Sequence, residues 1–306
     1  PDRLHGLPGE FPVVACRGCG LIRTSPRPTA ESLPTAYPAG YSPHARPPSA
    51  KPPGGLLRQA LVDYRDYPLG TPQCPLLRML MRPLALRRLN GRKGLGYLPY
   101  VGDGKLLDLG CGGGAYVARM AAAGWQAEGM DMSEEAVRNV RAAGLTAHRG
   151  TLPGAELPPA SYDAVTMRHV IEHVPSPMAT LKAVHRALRP GGQLLVACPQ
   201  WDSASRERFG PCWYCLDLPR HLTHFSRATL ARHVETAGFR VARMVSRARP
   251  SWVRKSWARL AETSSGGAAP RRAKSRLWVG LRARAAARAG RGDEIFCLAV
   301  KPDGSG

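Results

Sequence analysis

Residues 106–114, with the sequence LLDLGCGGG, constrain the fold of this chain more than any other segment. The apolar run before the glycines predicts a strand and the pattern after them predicts a helix, so the glycines lie at a strand-to-helix turn. Glycine lets a backbone approach a ligand where a Cβ would clash, and the free N–H groups at a helix start can meet negative ligand groups. We therefore expect a nucleotide-like ligand at this turn.

The glycine spacing by itself leaves two ligand classes open. Gly110, Gly112 and Ala115 satisfy the dinucleotide fingerprint GxGxxG/A, and Asp131 lies about 20 residues downstream, where an acid for the ribose of NAD is expected. Asp108 favours a different ligand, because a carboxylate there would repel a pyrophosphate but would suit the α-ammonium group of a methionine moiety. The residues therefore favour a cationic ligand over NAD.

From residue 105 onward, short apolar runs alternate with helical patterns, which predicts βαβ units and a parallel sheet. Ser133 and Ser176 are expected to cap the helices that follow them, and Gly191 is expected to end the second of these helices. A further helix is predicted over 227–237. The predicted strands cover residues 105–109, 126–130, 147–149, 162–167, 193–198, 240–246 and 295–301.

Several ordered motifs resemble class I S-adenosylmethionine-dependent methyltransferases, in the branch that contains quinone-biosynthesis and natural-product enzymes. Asp108 with Gly110, Gly112 and Gly114 is similar to the first motif of that family, and Asp131 is similar to the acid that holds both ribose hydroxyls. The strings SYDAVTMRHVIEHVPSP and LRPGGQLLVACP resemble its fourth-strand and fifth-strand signatures. The resemblance covers most of the sequence between the first motif and the last strand.

The resemblance implies an α/β fold, doubly wound, with a mostly parallel seven-stranded sheet, an antiparallel last strand and a small N-terminal accessory region. It implies S-adenosyl-L-methionine as the cofactor and a small-molecule acceptor, methylated on oxygen, nitrogen or carbon. The membrane contact predicted below for 251–291 would give access to a lipid-linked acceptor. Thr151 stands where many relatives carry an acid for the adenine amino group, so the chain departs from the family there. The implied cofactor-binding residues are Asp108, Gly110, Gly112, Gly114, Asp131, Met132, Thr151 and Arg168.

Histidines follow two of the predicted strands and are candidate catalytic groups. His169, Glu172 and His173 spell HxxEH, which also matches a zinc-protease motif, but that function needs the whole motif on one helix and His169 directly follows a strand. His221 and His224 lie further along, in the string WYCLDLPRHLTHF. Because ligands bind beyond the carboxyl ends of parallel strands, we expect the two histidine-bearing loops to face one pocket.

A general base is needed only if the acceptor must lose a proton. For a hydroxyl acceptor we expect His169 first and His221 second as the base, since a neutral imidazole suits pH 7 and typically contributes ~10²–10⁴-fold. Glu172 is expected to orient a histidine or to contact the acceptor. The competing interpretation is that each histidine is a packing or surface residue.

Eight cysteines are too dispersed for a disulfide framework in a chain of 306 residues. Cys16 and Cys19 form a CxxC pair that resembles the second knuckle of a zinc ribbon, found ahead of some of these methyltransferases. A structural zinc site needs four ligands, so this pair is half a site and its partners are expected upstream of residue 1. Cys212 and Cys215 form another CxxC pair, which we do not expect to complete the site.

The net charge is +22, and residues 249–292 carry half of it, with twelve Lys and Arg against one acid. Trp, Leu and Val between the cations of 251–291 predict peripheral contact with an anionic membrane, and the competing interpretation is a basic, partly disordered insertion. The alternative functions are an RNA methyltransferase or a non-catalytic scaffold that binds membrane or protein. Nucleic acid is disfavoured, because neither an NPPY-like motif nor an added RNA-binding fold is visible.

Composition shifts divide the chain into segments. No apolar run reaches the ~20 residues of a bilayer span and no leader is visible, so we expect a cytoplasmic protein, or one peripheral at the inner face of the membrane. The helical cap should contain helices over 56–67 and 76–89, the second interrupted at Pro83. The predicted segments are a half zinc-ribbon-like region (1–41), a Pro-rich linker (42–55), the helical cap (56–100), the cofactor-binding catalytic domain (101–247), the basic insertion (248–292) and the last strand and tail (293–306).

Overall fold

The computed structural model describes residues 2, 6–29, 31–37, 48, 50–91, 94, 96–263 and 275–303. Residues 42–47 and 49 of the predicted linker, and residues 264–274 of the basic segment, lie outside the described residues. The strands are β1 Val13–Ala15, β2 Ile22–Thr24, β3 Lys105–Leu109, β4 Gln126–Asp131, β5 Thr146–Arg149, β6 Tyr162–Arg168, β7 Leu188–Pro199, β8 Thr223–His224, β9 Arg240–Arg247 and β10 Glu294–Val300. The helices are α1 Gly55–Arg65, α2 Pro75–Asn90, α3 Ala115–Ala121, α4 Glu134–Ala142, α5 Pro177–Ala187, α6 Ala204–Phe209, α7 Arg227–Thr236, α8 Pro250–Thr263 and α9 Arg276–Arg288, with short 3-10 turns at Leu33–Ala36 and Gly210–Cys212.

The main sheet has seven strands in the order β5-β4-β3-β6-β7-β10-β9. β3 pairs with β4 and β4 with β5 in parallel, whereas β10 runs antiparallel to β9. β3, β6 and β7 are buried along nearly their whole length, as expected for strands covered on both faces. The predicted doubly wound sheet with an antiparallel last strand is therefore confirmed.

The chain divides into two compact units. Unit 1 combines Pro1–Ala39, Met167–His185 and Val196–Val300, and unit 2 combines Gly40–Thr166, Arg186–Leu195 and Lys301–Gly306. The segments predicted from the sequence follow one another along the chain, whereas each compact unit gathers stretches that are far apart in sequence.

Unit 2 contains α1 to α4 and the strands β3, β4 and β5. Ser133 caps α4, since its side chain accepts a hydrogen bond from the N–H of Ala136, as the sequence predicts. The predicted interruption at Pro83 is wrong, because α2 continues through this proline. Pro83 lies on an exposed side of the helix, where the missing N–H leaves no buried group without a partner.

Unit 1 contains α7, α8 and α9 and a second, three-stranded sheet in the order β1-β2-β8. β2 pairs antiparallel with β8, so that Ile22 lies opposite His224. The two-residue strand β8 has no periodicity long enough to be read from the sequence. Ser226 caps α7 with a capping box that includes Thr229.

The predicted helix end at Gly191 is wrong, because α5 ends at Ala187 and Gly191 lies inside β7 with a φ of 73°. Glycine adopts this left-handed conformation without a Cβ clash, so it is compatible with a bent strand as well as with a helix end. Within the described part of the chain, no helix has the length and apolar content needed to span a bilayer.

The basic segment 251–291 forms α8 and α9 where it is described. Four apolar side chains of α8 pack against the buried cluster of Phe209, Cys212, Trp213 and Cys215, namely Trp252, Val253, Trp257 and Leu260. These side chains therefore belong to the core of unit 1 and do not form the open apolar face that the sequence predicts. The large apolar side chains of the segment that remain exposed are Leu277 and Leu281 on α9.

Candidate functional site

The glycine turn of unit 2 follows β3 directly, as predicted, and we call residues 108–114 the cofactor loop. Gly110, Gly112 and Gly114 all have positive φ, at 69°, 51° and 76°. A Cβ at Gly114 would come within 2.6 Å of the Val140 side chain, so this position requires glycine for space as well as for conformation. Glycine at these positions therefore allows a turn conformation that a side chain would disfavour.

Asp108, on β3, is buried and 3% exposed. Its Oδ1 accepts a hydrogen bond from the hydroxyl of Thr166 on β6. Thr166 was not among the predicted site residues, because a threonine within an apolar strand carries no pattern of its own. This contact fixes one carboxylate oxygen of Asp108.

Asp131 ends β4, and its carboxylate joins two turns of the backbone. One oxygen accepts from the N–H of Gly112 at 2.8 Å and the other accepts from the N–H of Ser133 at 2.9 Å. Asp131 thus ties the cofactor loop to the turn at Ser133 and places a carboxylate at the carboxyl end of β4.

The other predicted cofactor-binding residues outside the glycine turn are Met132, Thr151 and Arg168. Met132 and Thr151 are exposed, and both lie in unit 2 with the cofactor loop. Arg168 ends β6 and belongs to unit 1. Cys111, inside the cofactor loop, is buried, and burial together with the carboxylates of Asp108 and Asp131 raises the pKa of its thiol.

In unit 1, the histidine-bearing loops come together in what we call the histidine cluster, formed by His169, Glu172, His173, His221 and His224. The HxxEH motif is not helical, because α5 begins only at Pro177. His169 has a φ of 59°, a left-handed conformation that is uncommon outside glycine. Such backbone positions are often found at functional sites, where the surrounding structure maintains them.

His169 lies between two carboxylates. Its Nε2 is 2.9 Å from Oε1 of Glu294, and its Nδ1 is 3.4 Å from Oε1 of Glu172. Burial alone would lower the pKa of His169, but the interactions with Glu172 and Glu294 raise it to about 9. His169 is therefore an imidazolium at neutral pH, hydrogen-bonded to Glu294 and ion-paired with Glu172.

Glu294 was predicted only as the flank of the last strand, yet it is 1% exposed and anchors this network. Its carboxylate pairs with Arg247 at 3.2 Å and with Arg249 at 3.1 Å, in addition to His169. Burial opposes the charge, but these three cations lower its pKa to about 2. An acid at the start of an apolar strand is the signal that could have identified it.

His173 and His221 share a different environment, with ring centroids 4.6 Å apart. Nδ1 of His173 lies 3.1 Å from the carbonyl of Arg220, and Nδ1 of His221 lies 2.9 Å from the carbonyl of Cys215. A carbonyl can only accept, so each Nδ1 carries a proton and donates it to this hydrogen bond. Burial and the nearby His221 lower the pKa of His173 to about 4, which keeps it neutral.

Tyr37 joins the cluster from the N-terminal segment, with its hydroxyl 3.0 Å from Nδ1 of His173. His224 is held by Thr24, whose hydroxyl lies 3.3 Å from its Nε2, and by the pairing of β8 with β2. Burial, followed by the effect of His221, lowers the pKa of His224 to about 3. His224 is therefore neutral and lies in the small sheet.

Two groups of side chains have metal-ligand chemistry. Glu172, His173 and His221 each offer one ligand atom, and these atoms lie within 4.8 Å of one another, a set that can bind a divalent transition metal. Cys16 and Cys19 lie at the β1–β2 turn, where the N–H of Gly20 donates to the carbonyl of Cys16 at 2.9 Å. Both are free thiols, and Cys16 is exposed.

Cys212 and Cys215 are buried in the cluster around Trp213, so the second CxxC pair is part of the core of unit 1. Burial raises the pKa of the Cys215 thiol well above its usual value. This agrees with the expectation that the pair does not complete a zinc site with Cys16 and Cys19.

The fold and the cofactor loop together define a class of protein. A mostly parallel seven-stranded sheet with an antiparallel last strand, a glycine turn after its first parallel strand and acids on two neighbouring strands are the features of a class I methyltransferase.

Comparison with known proteins supports this class. Residues 80–243 match the family described as methyltransferase domain. This match covers more than half of the chain, which therefore belongs to that family. The class I methyltransferase resemblance read from the motifs is confirmed.

Two relatives illustrate the similarity. A ubiquinone biosynthesis O-methyltransferase of Idiomarina loihiensis is 39% identical over 113 residues, which are 33% of this chain and 46% of the relative. One of Xanthomonas oryzae pv. oryzae is 33% identical over 149 residues, which are 46% of this chain and 59% of the relative. The chain thus spans about half the length of the curated relatives it matches.

A solved structure supports the fold. A chain of the complex between the Haloferax volcanii Trm112 methyltransferase activator and its methyltransferase superposes with a TM-score of 0.51 at 20% identity. The superposition covers 74% of this chain and 95% of the other. At this level of identity, the likeness extends to the fold.

Proposed function

We propose that this chain transfers a methyl group from S-adenosylmethionine to a hydroxyl group of a small-molecule acceptor. The observation that carries this proposal is the pair of buried carboxylates, Asp108 and Asp131, around a turn in which three of the four glycines have positive φ. Two anions beside this turn suit a ligand with an ammonium group and ribose hydroxyls, and would repel a pyrophosphate.

The residues present fit the cofactor. Asp108 would pair with its α-ammonium group, and Asp131 would accept from its ribose hydroxyls while still holding Gly112 and Ser133. Met132 and Thr151 have exposed side chains and are available to the adenine. When bound, S-adenosylmethionine supplies an electrophilic methyl group on a sulfonium, which is a good leaving group.

The protein mainly has to position the acceptor, a contribution that can reach ~7–11 kcal/mol. A hydroxyl acceptor must also lose its proton. Nδ1 of His221 bonds to the carbonyl of Cys215, which leaves Nε2 as the ring nitrogen for proton transfer, whereas His169 is already protonated and paired with Glu172 and Glu294. We therefore propose His221 as the general base and His169 as a charged group that orients Glu172, the reverse of the order expected from the sequence.

The names of the relatives support oxygen as the methylated atom, since those cited are O-methyltransferases. An RNA methyltransferase is the alternative that the net charge of +22 would favour. In the described part of unit 1, apolar side chains of α8, which belongs to the basic segment, pack against the buried cluster around Trp213. This internal packing favours a small acceptor over RNA.

A further proposal concerns the β1–β2 hairpin as a zinc knuckle. The CxxC turn brings two thiols together, and the backbone of Cys19 lowers the pKa of Cys16 towards the thiolate that zinc requires. Metal analysis of the purified chain, compared with a Cys16→Ser variant, tests it. Equal zinc in both proteins would contradict this proposal without touching the proposed methyl transfer.

Titration calorimetry with S-adenosylmethionine tests the central proposal. We expect saturable binding to the parent protein and loss of most affinity in Asp108→Ala. Filter binding to RNA, run in parallel, tests the alternative that the chain is an RNA methyltransferase. No heat of binding at millimolar cofactor would overturn the proposed function.

A further inference from the structure

Helix α2 has an unusually exposed apolar face. Leu76, Met79 and Leu80 are 64%, 64% and 65% exposed, and Leu84 is exposed as well. These residues are separated by three or four positions, so they lie on one side of the helix. Adjoining large apolar side chains that remain exposed mark an interaction surface.

The opposite side of α2 already packs within unit 2. Ala85 and Leu89 are buried. Arg78 donates to the carbonyl of Asp63, and its guanidinium lies 5.4 Å from the ring centroid of Tyr64 on α1. The apolar face is therefore not the side by which the helix packs on its own unit.

The charges of α2 identify the occupant of this face. The helix contains four arginines and no acid, and Arg82, Arg87 and Arg88 are exposed. Arg82 and Arg88 flank the apolar face, where arginine can bury its carbon chain and keep its guanidinium at the level of lipid headgroups. Two copies of the chain meeting through this face would bring like charges together, whereas an anionic lipid surface complements both charge and apolarity.

We propose that α2 is a docking helix that lies in the surface of an anionic lipid bilayer. Leu76, Met79, Leu80 and Leu84 enter the acyl-chain boundary, and the arginines contact the anionic headgroups. This surface is separate from the membrane contact predicted for 251–291, where α8 packs its tryptophans inside unit 1. The inference concerns where the protein resides and does not depend on the proposed reaction.

Co-sedimentation of the full chain with lipid vesicles tests this inference. The parent protein should bind vesicles of phosphatidylcholine mixed with phosphatidylglycerol and should bind pure phosphatidylcholine much less. Leu76→Gln combined with Leu80→Gln should weaken partitioning to the mixed vesicles at least about tenfold, because two buried apolar side chains are lost. Arg82→Gln combined with Arg88→Gln should weaken it about tenfold and should remove most of the preference for the anionic lipid.

The matched control is on α9, where Leu277→Gln combined with Leu281→Gln also replaces two exposed leucines beside arginines. We expect unchanged vesicle binding for this control, and an unchanged circular dichroism spectrum for every variant, since all the positions are exposed. Loss of binding in the α9 variant instead of the α2 variant would overturn the proposal. Equal binding of the parent to both vesicle types would also overturn it.

Two other occupants give distinct results. If Leu76→Gln with Leu80→Gln changes the solution mass of the protein but not vesicle binding, the face joins two copies of this chain. If the same variant loses RNA binding but not vesicle binding, the occupant is nucleic acid. Either result refutes the membrane assignment.

Discussion

The cofactor loop and the histidine cluster are built in opposite ways. Asp108 and Asp131 lie on adjacent parallel strands, and Asp131 is held by backbone N–H groups 2 and 19 residues away. The histidine cluster draws on the N-terminal segment, the turn after β6, the loop before β8 and the first residue of β10. Its members are tied together by side chains and carbonyls from distant parts of the sequence.

The difference teaches that the two regions are held together by different means. In the cofactor loop, backbone N–H groups of the same loop and of the following turn hold the carboxylate of Asp131 in place. In the histidine cluster, neighbouring imidazoles have divergent pKa values, raised for His169 by two carboxylates and lowered for His173 by burial. The same residue type is thus a cation at one position and a neutral acceptor at another.

The largest predicted effect is the loss of stability when Arg220, which supports the histidine cluster, is replaced. Arg220 is fully buried and pairs with Asp2 at 2.8 Å and with Asp217 at 2.6 Å. Arg220→Met removes the buried cation that pairs with both carboxylates, so the free energy of unfolding should fall by about 3–5 kcal/mol, measured by denaturant unfolding. Arg291→Met, which breaks an exposed pair with Glu207, is the control and should cost less than about 1 kcal/mol. Similar losses in both variants would mean that the buried pairs do not hold the cluster together.

The second effect concerns catalysis. His221→Ala should lower kcat about a hundredfold on a hydroxyl acceptor while cofactor affinity stays constant. The deficit should shrink as pH rises, because the acceptor then ionises without help. His148→Ala, which removes an exposed histidine of β5, should leave kcat unchanged. A deficit that is the same at every pH would assign His221 to positioning and not to proton removal.

The third effect tests the cofactor loop. Asp131→Ala removes both the predicted ribose contact and the bonds to Gly112 and Ser133, so cofactor affinity should fall about tenfold or more, or ~1.4 kcal/mol. Asp103→Ala, which removes an exposed carboxylate of unit 2, should bind like the parent. Thermal unfolding without cofactor shows how much of the loss comes from the loop itself. Parent-like affinity in Asp131→Ala would remove this residue from the cofactor site.

The smallest effect concerns the charge of His169. Glu294→Gln removes its nearest carboxylate and leaves Arg247 and Arg249 in place, so the pKa of His169 should fall from about 9 towards its ordinary value or below. Nuclear magnetic resonance titration of the imidazole measures this. Glu172 still faces the ring, so the fall should be partial. A pKa that stays near 9 would show that Glu294 does not set this charge.

The same network predicts a dependence of stability on pH. A pKa that is higher in the folded state stabilises the fold fully below the unfolded value of about 6.5, and this contribution is lost as pH rises through the folded value of about 9. The parent should therefore lose stability between these limits, by on the order of 1 kcal/mol relative to Glu294→Gln. Denaturant unfolding at several pH values measures the difference.

Much of the fold could be predicted because its signals are local. β3, β4, β6, β9 and β10 lie within a residue or two of their predicted bounds, since each strand reads as a short run between turn residues, and Ser133 caps the helix expected after it. β7 is longer than predicted, because Gly191 was read as a helix end and β7 continues through it. β8 was missed because two residues carry no periodicity.

The sequence by itself determined the sheet, the glycine turn and the two carboxylates beside it, because strand order and local hydrogen bonding place them whatever the rest of the chain does. The tertiary structure alone decided which histidines are charged. The pKa of His169 depends on Glu294, 125 residues away in sequence, and the tautomer of His221 depends on the carbonyl of Cys215. The tertiary structure also decided which apolar surface is exposed. The tryptophans of α8 pack against a buried cluster that no sequence periodicity reveals, whereas the leucines of α2 are exposed.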